Sequence, residues 1–248
     1  MTELLYYVDS YLQEFDATVR GVEPADGAMR VDLDRTVFYP GGGGQPADSG
    51  WLVVGGERFA VTRLAKEGDA IWHWLAAAEG AAVAAASAIV PGAAVRGELD
   101  WARRYRLMRT HTAMHILCGV VFRDYGASVT GGNMEPGKGR MDFEFASLSR
   151  DLIREIADKC ALEVAAAREV QTRTLPRDEA FQIPDLIRTK ANLLPPGIAY
   201  VRTVEVVGLD LQADGGTHVR NTREVGAMNV VDYKSKGASN KRMYIELP

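Results

Sequence analysis

The first 75 residues alternate short apolar runs with polar ones, and glycine, aspartate or proline separates one run from the next. This period-2 alternation is typical of half-buried β-strands. Several short strands at such spacing predict a small barrel. The predicted strands cover residues 17–22, 29–34, 51–54, 58–64 and 70–75.

Beyond residue 95 the apolar positions follow a helical period instead. Asp100 is a good N-cap, and the apolar spacing predicts a helix over residues 101–122 that stops at Gly126. A second long helix is predicted over residues 149–174, and a short one over 178–186. A loop-rich segment, 128–140, and strands at 141–145, 200–207, 225–231 and 242–247 complete this half. The predicted fold class is therefore α+β: a small N-terminal β-barrel, then a mixed or antiparallel sheet packed by two long helices.

Two features place a domain boundary between these halves. Residues 76–88 are almost all alanine and glycine, which predicts a loop with a short helix. Residues 1–100 carry 7 Lys and Arg against 15 Asp and Glu, whereas residues 101–248 carry 22 against 18. We therefore predict a barrel domain over 1–95 and an α+β domain over 96–248. The mild basic excess of the second half permits a nucleic-acid partner without requiring one.

The composition is that of an ordinary globular protein, with 47% apolar and 25% charged residues in a chain of 248. Its first residues lack the basic start and apolar run of a signal peptide, and no apolar stretch is long enough to span a membrane, so we expect a cytoplasmic protein. Cys118 and Cys160 are expected to be buried apolar residues rather than a disulfide pair. His73 is expected to have a structural role, at the surface or hydrogen-bonded.

The other three of the four histidines lie in two short motifs. His111 and His115 are four residues apart in the first helix, so their rings share one face. His218 ends a glycine-rich turn that begins at Asp214. This spacing predicts a mononuclear metal site with Asp214 as the fourth donor, and the alternative is a pair of hydrogen-bonded core histidines.

The helix around these histidines lacks the glutamate of the HExxH peptidase motif, because Thr112 occupies its position. No general base therefore comes from the helix, which argues against peptide hydrolysis and favours a more labile bond such as an aminoacyl ester. Arginines precede His111 at positions 103, 104, 106 and 109. They form either a solvated helix face or a contact for phosphates.

Four glycines, Gly41 to Gly44, interrupt the predicted barrel strands. Neither the GxxxxGK[ST] pattern nor the GxGxxG pattern of phosphate-binding glycine loops occurs here. The segment is either a flexible hairpin loop or, with Tyr39, Gln45 and Asp48 beside it, a loop that contacts a polar ligand.

Five motifs in this order resemble the free-standing alanyl-tRNA editing proteins of the AlaX type, relatives of the editing domain of alanyl-tRNA synthetase. The resemblance spans nearly the whole chain. The motifs are Phe38-Tyr39-Pro40 with the glycines, Gln45-Pro46 and Asp48; Leu99-Asp100-Trp101 with Arg103-Arg104 and Met108-Arg109; His111-Thr112-Ala113-Met114-His115; Arg140-Met141-Asp142-Phe143; and Gly215-Gly216-Thr217-His218-Val219 with Asn221-Thr222 and Glu224-Val225-Gly226.

The resemblance implies a zinc-dependent hydrolase that deacylates mischarged tRNA, chiefly Ser-tRNA(Ala) and also Gly-tRNA(Ala). It implies His111, His115 and His218 as ligands, and the family has cysteine where this chain has Asp214. Aspartate keeps the charge of a thiolate, but its harder oxygen weakens the preference for zinc over other divalent ions.

Within this interpretation, the loop containing Gly42, Gly43 and Gln45 shapes the amino-acid pocket. Thr130 hydrogen-bonds the serine hydroxyl and so discriminates serine from alanine. Two other classes of function stay open: a metal-binding module for tRNA or protein without turnover, and a small-molecule metallohydrolase. No pattern in the sequence predicts an oligomeric state.

Overall fold

The computed structural model describes residues 1–25, 28–77, 88–145, 147–189, 194, 197–237 and 239–248, with no description of the side chains of residues 28 and 77. The loop with a short helix predicted over 76–88 lies almost wholly outside the described residues. Proximity divides the chain into two compact units: Met1–Gly42 with Pro46–Tyr105, and Gly43–Gln45 with Arg106–Pro248. The predicted boundary near residue 95 stays a prediction.

The first unit is built on a closed β-barrel, as the alternating pattern predicts. It begins with β1 (Glu3–Leu4) and α1 (Leu5–Val8). The barrel strands are β2 (Glu14–Ala25), β3 (Ala28–Leu33), β5 (Gly50–Val54), β6 (Glu57–Glu67), β7 (Ala70–Ala77) and β8 (Ala94–Leu99), and the short β4 (Arg35–Thr36) pairs with β1. Around the barrel the order is β2-β3-β7-β6-β5-β8. Alternate residues such as Leu33, Leu52 and Ile71 are fully buried in its core.

The glycine segment does not connect two strands that pair with each other, and Gly43 and Gly44 form a turn within it. The strands on either side of it do not pair with each other, since β4 pairs with β1 whereas β5 pairs with β6 and β8. Tyr39 and Asp48 hold its ends together. The backbone N–H of Tyr39 donates to the Asp48 carboxylate, and the backbone N–H of Asp48 donates to the Tyr39 carbonyl.

A single long helix, α2 (Trp101–Tyr125), runs from the first unit into the second. The Asp100 carboxylate accepts the N–H of Arg103 at 3.1 Å, which confirms the predicted N-cap. Gly126 has a φ of +64° directly after the helix, so glycine permits the left-handed residue that ends it. The helix therefore begins as predicted and ends three residues beyond the predicted range.

In its first turn, Arg104 is neither solvated nor free to bind a phosphate. Its side chain is fully buried, and its Nε lies 3.0 Å from Oδ1 of Asp48, which is also buried. Arg103 donates to the Ala47 carbonyl, and Arg109 donates to the Val225 carbonyl. Both predictions for the arginines are therefore wrong for Arg104, because a guanidinium with a buried carboxylate partner is stable inside the fold.

The second unit contains two antiparallel sheets among the described residues, rather than the one that was predicted. One has the order β14-β15-β10-β9 and the other β11-β12-β13. Their strands are β9 (Val129–Glu135), β10 (Lys138–Glu144), β11 (Val170–Pro176), β12 (Tyr200–Val206), β13 (Asp210–Ala213), β14 (Asn229–Ser235) and β15 (Asn240–Glu246). The mixed α and β content is as predicted.

The two helices that follow α2 are shorter than the sequence predicts. The helix α3 (Arg150–Ala165) ends nine residues before the predicted end, and the last part of the predicted range, 170–174, lies in β11. Three β-branched residues, Val170, Thr172 and Thr174, favour that strand. The predicted short helix is only α4 (Arg177–Ala180), and Pro184 lies shortly beyond it.

The segment predicted as loop-rich, 128–140, is mostly strand. β9 pairs with β10 along its length, with Met134 opposite Gly139. The glycines hide this strand in the sequence because glycine has no β-propensity of its own, and the ladder with β10 supplies the stability. Among the described residues, no helix is long and apolar enough to cross a membrane.

Candidate metal centre

Four side chains of the second unit converge as the sequence predicts. The helix α2 presents His111 and His115 one turn apart, and the turn after β13 presents Asp214 and His218. One possible ligand atom from each lies within 4.8 Å of all the others. The three histidines are each 5% exposed, whereas Asp214 is less buried. The four side chains therefore form one largely enclosed donor set.

The Nδ1 atom of each histidine is hydrogen-bonded outside the donor set. His111 Nδ1 lies 3.0 Å from Gln45 Oε1, His115 Nδ1 lies 2.9 Å from Asp210 Oδ2, and His218 Nδ1 lies 3.2 Å from Thr112 Oγ1. The Nε2 atoms of His111 and His218 lie beside the Asp214 carboxylate. Such outer hydrogen bonds are the usual way in which proteins orient imidazole ligands.

The contacts of Gln45 assign the tautomer of His111. Gln45 Oε1 lies 3.0 Å from the backbone N of Thr217, which can only donate, so the amide orientation is fixed. Gln45 Nε2 in turn donates to the hydroxyl of Thr217 at 2.9 Å. An Oε1 that faces His111 Nδ1 must accept from it. The proton of His111 is thus on Nδ1, and the lone pair on Nε2 points into the donor set.

The outer partners of the other two histidines were not singled out in the sequence. Asp210 stands between Leu209 and Leu211 in a strand, and a lone aspartate in an apolar run is a signal for a buried carboxylate with a partner. Thr112 was noted only as a replacement for glutamate. Its hydroxyl lies 3.3 Å from the donating N–H of Val219 and thereby ties α2 to the residue after His218.

Asp214 both closes the donor set and shapes its own turn. Its Oδ1 lies 3.7 Å from His111 Nε2, and its Oδ2 lies 2.8 Å from His218 Nε2. Oδ2 also accepts the backbone N–H of Gly216 at 3.0 Å. A carboxylate at this position can therefore face two imidazoles at once.

Gly216 is the residue that lets this turn approach the helix. A Cβ at this position would lie 2.4 Å from Cε1 and Nδ1 of His111 and 2.7 Å from Gln45 Oε1. Real Cβ atoms do not approach that closely, so only glycine fits without displacing the histidine.

Burial and mutual proximity shift the pKa values of the cluster. Burial lowers the pKa of His111 to about 4 and holds the pKa of His218 well below 6.5. Burial alone would raise the pKa of Asp214, but the neighbouring His111 and His218 hold it well below its usual range. Burial likewise opposes protonation of His115, yet the hydrogen bond and charge of Asp210 raise its pKa. At His111, His218 and Asp214 these shifts favour neutral imidazoles beside a carboxylate, the protonation states that a metal ion requires.

These residues fit a divalent metal ion. Three imidazole nitrogens and one carboxylate oxygen suit Zn²⁺ and, with the harder oxygen, other divalent ions. Donors bound about 2.0–2.2 Å from one ion lie at most about 4.4 Å apart, so small side-chain movements bring the set into range. Cys118, although one turn beyond His115, is a fully buried core residue and is not among the four donors.

The remaining predicted site residues lie in three places. Gly43 has a φ of +58°, and a Cβ there would lie 3.8 Å from Asp214 Oδ1. Gly42 belongs to the first unit, where its carbonyl accepts the Tyr39 hydroxyl at 3.0 Å. Thr130 is half-buried in β9, and its hydroxyl donates to Asn240 Oδ1 at 3.0 Å rather than to a residue of the donor set.

Comparison with known proteins agrees with the resemblance seen in the sequence motifs. Residues 11–103 match the family model of class II (A) tRNA synthetases, and residues 201–244 match the second additional domain of threonyl and alanyl tRNA synthetases. The alanyl-tRNA editing protein AlaX-M of Saccharolobus solfataricus is 38% identical over 98% of this chain and 98% of its own length. AlaX-M of Methanosarcina acetivorans is also 38% identical, over 100% of this chain.

Larger relatives contain a similar sequence as one part of their length. The alanine–tRNA ligase of Ignicoccus hospitalis is 36% identical over 93% of this chain, which corresponds to 24% of the ligase. The identity over the full length of AlaX-M, together with the order of the motifs around the donor set, leads to one conclusion: this chain belongs to the family of alanyl-tRNA editing proteins.

Proposed function

We propose that this protein is a hydrolase that deacylates mischarged tRNA in trans, with Ser-tRNA(Ala) as its main substrate and Gly-tRNA(Ala) as a second one. The observation that carries the proposal is the enclosed His111, His115, Asp214 and His218 donor set in a chain that matches alanyl-tRNA editing proteins from end to end. We place the protein in the cytoplasm, where aminoacyl-tRNA is made and used.

The donor set fits a single divalent ion, Zn²⁺ in the first place. When bound, such an ion supplies Lewis-acid chemistry, polarising the ester carbonyl or a water molecule. Burial favours the neutral form of His111 and His218. Gln45, Asp210 and Thr112 hold the three rings in one orientation each. Because Thr112 stands where the HExxH motif has glutamate, the ligand helix contributes no general base, and an aminoacyl ester is labile enough to react without one.

Two elements would select the amino acid. The Gly43 position is free of side-chain atoms beside Asp214, which leaves room for a small acyl group. Thr130 Oγ1 donates its proton to Asn240 and so keeps its lone pairs available for the hydroxyl of a serine ester. A site that hydrogen-bonds a hydroxyl favours the seryl ester over the two esters without one, the glycyl and the alanyl ester.

A deacylation panel with Ser-tRNA(Ala), Gly-tRNA(Ala) and Ala-tRNA(Ala) tests this function. We expect hydrolysis of the seryl ester, slower hydrolysis of the glycyl ester, and little loss of the alanyl ester. His111→Ala and His218→Ala should abolish turnover, and His73→Gln, which changes a histidine of the barrel, is the matched control. Unchanged rates in both cluster variants would refute the proposal.

The same panel, run beside a tRNA-binding assay, separates the two other classes of function. Binding of acylated tRNA without turnover by the metal-loaded protein would indicate a binding module. Absence of tRNA binding would indicate a small-molecule metallohydrolase. Affinity for tRNA that falls steeply with salt would argue against the small-molecule metallohydrolase, because phosphate contacts release counterions.

A further inference from the structure

A second buried ionic contact lies directly behind His115. The Asp210 side chain is fully buried, and its Oδ2 lies 2.9 Å from His115 Nδ1 and 2.6 Å from the Nε2 of Gln212. Its other oxygen, Oδ1, has no hydrogen-bond partner among the described residues. The nearest cation to that oxygen is Arg188, whose Nε lies 3.4 Å away.

Arg188 is held in place by an aromatic ring of the ligand helix. Its side chain is 11% exposed, and within the described part of the chain its Nε and Nη1 have no hydrogen-bond acceptor. Its guanidinium lies 3.7 Å from the ring centroid of Phe122. Phe122 is seven residues after His115, so two turns of α2 place ligand and ring on the same side of the helix. One helix thus positions both the histidine and the cation behind its partner.

We propose that Asp210 and Arg188 together form a positioning unit for the metal ligand His115. Asp210 accepts the Nδ1 proton and turns Nε2 toward the donor set, as outer carboxylates do for metal-bound imidazoles. Arg188 compensates the buried charge of Asp210, since an isolated carboxylate in the interior is strongly unfavourable. This inference rests on the metal site of the proposed function, but not on the reaction.

Substitution of the two residues is expected to have different effects: loss of Asp210 should weaken Zn²⁺ binding, whereas loss of Arg188 should increase the rise in Tm on metal binding. Asp210→Asn keeps the shape and removes the charge, so the affinity for Zn²⁺ should fall roughly 10-fold to 100-fold, the range typical of outer partners. Arg188→Met leaves Asp210 without its cation. The metal-free protein should then melt at a lower temperature, and a bound dication, by compensating the carboxylate, should raise Tm by more than it does in the wild type.

The experiment titrates Zn²⁺ into the full-length protein against a chelating indicator, and follows Tm with and without Zn²⁺. Absorption of the Co²⁺-loaded protein reports the ligand field of the site. Glu163→Gln is the matched control, because Glu163 is another buried carboxylate with arginine partners, Arg123 and Arg168, and has no contact with the donor set. We expect wild-type affinity and a wild-type Co²⁺ spectrum for this control, and a changed spectrum for Asp210→Asn.

The inference would be overturned if Asp210→Asn had the same Zn²⁺ affinity and the same Co²⁺ spectrum as the Glu163→Gln control. It would also be overturned by a metal-induced rise in Tm that is no larger in Arg188→Met than in the wild type, or by a wild-type protein that binds no metal. Normal metal binding in a protein that deacylates no tRNA would instead refute the proposed function and leave the positioning unit intact.

Discussion

The barrel and the metal centre each contain buried histidines, yet the two regions use them differently. His73 in the barrel is fully buried, and both of its ring nitrogens are engaged: Nδ1 lies 3.3 Å from the Val31 carbonyl and Nε2 lies 3.0 Å from the Thr36 hydroxyl. His111 is 5% exposed and has only its Nδ1 engaged by a neutral outer partner, Gln45. Its Nε2 lies beside a carboxylate and near two other imidazoles.

Burial alone does not separate a structural histidine from a metal ligand. Burial lowers the pKa of His73 to about 4, and it lowers the pKa of His111 to about 4 as well. The difference is the Nε2 atom. In His73 it is hydrogen-bonded to the Thr36 hydroxyl, whereas in His111 it faces the other members of the donor set. A buried imidazole with one nitrogen directed at a carboxylate and two further imidazoles is therefore the stronger indicator of a metal site.

The largest difference between the two regions is expected when a histidine is removed from each. His111→Ala removes a donor and should lower Zn²⁺ affinity by more than about 100-fold, beyond the usual effect of an outer partner. His73→Gln should leave affinity unchanged, because no donor is lost. Metal analysis of the purified variants measures both. Equal metal content in wild type, His111→Ala and His73→Gln would contradict the assignment of the donor set.

The next effect concerns the space that the His111 ring occupies. Gly216→Ala places a Cβ 2.4 Å from that ring, so either the ring or the turn must move. We expect a loss of about 1–3 kcal/mol in the free energy of unfolding, as for other overpacked sites, together with weaker metal binding. Denaturant unfolding and Zn²⁺ titration check this prediction.

Gly131→Ala is its control, because a Cβ at Gly131 meets its nearest atom at 3.8 Å, ordinary contact distance. If the two alanine variants had the same stability and the same Zn²⁺ affinity, the close approach of the turn to His111 would have no energetic importance.

A smaller effect is expected at the fourth donor, which is the least buried. Asp214→Ala should lower Zn²⁺ affinity about 10-fold, whereas Asp214→Cys, which restores a soft anionic donor, should keep or raise it. Asp214→Asn separates ligation from the turn, since its amide oxygen can still accept the N–H of Gly216 that Asp214 accepts. Equal zinc content in all of these variants and the wild type would exclude Asp214 as a ligand.

The smallest effect concerns the pH dependence of the barrel histidine. The pKa of His73 is lowered from 6.5 to about 4 in the folded protein, mainly by burial. Between those values the unfolded chain binds a proton that the folded chain does not, so the stability supplied by neutral His73 is lost as pH falls through this window.

From pH 7 to pH 5.5 this loss amounts to about 1 kcal/mol. His73→Gln, which cannot be protonated, should show a correspondingly flatter dependence in urea unfolding at the two pH values. If the free energy of unfolding fell equally with pH in the wild type and in His73→Gln, then His73 would have the same pKa in the folded and the unfolded chain.

The barrel could be predicted because its strands alternate over short distances, and the first helix because its N-cap, period and terminal glycine agree. The second helix was predicted nine residues too long, because the sequence pattern does not show where a ladder with β12 replaces helical hydrogen bonds. β9 was overlooked for the same reason. Its glycines have no strand preference, and its stability comes from pairing with β10.

The sequence by itself predicted which side chains converge as candidate metal ligands: the spacing of His111 and His115 is a property of any helix, and Asp214 and His218 share one turn. Only the tertiary structure decided how those ligands are oriented. The residues that orient the histidines are distant from them in the chain. Gln45 is 66 residues from His111, Asp210 is 95 residues from His115, and Thr112 is 106 residues from His218. Hydrogen bonds over such separations depend on how strands and helices pack, and no local pattern encodes them.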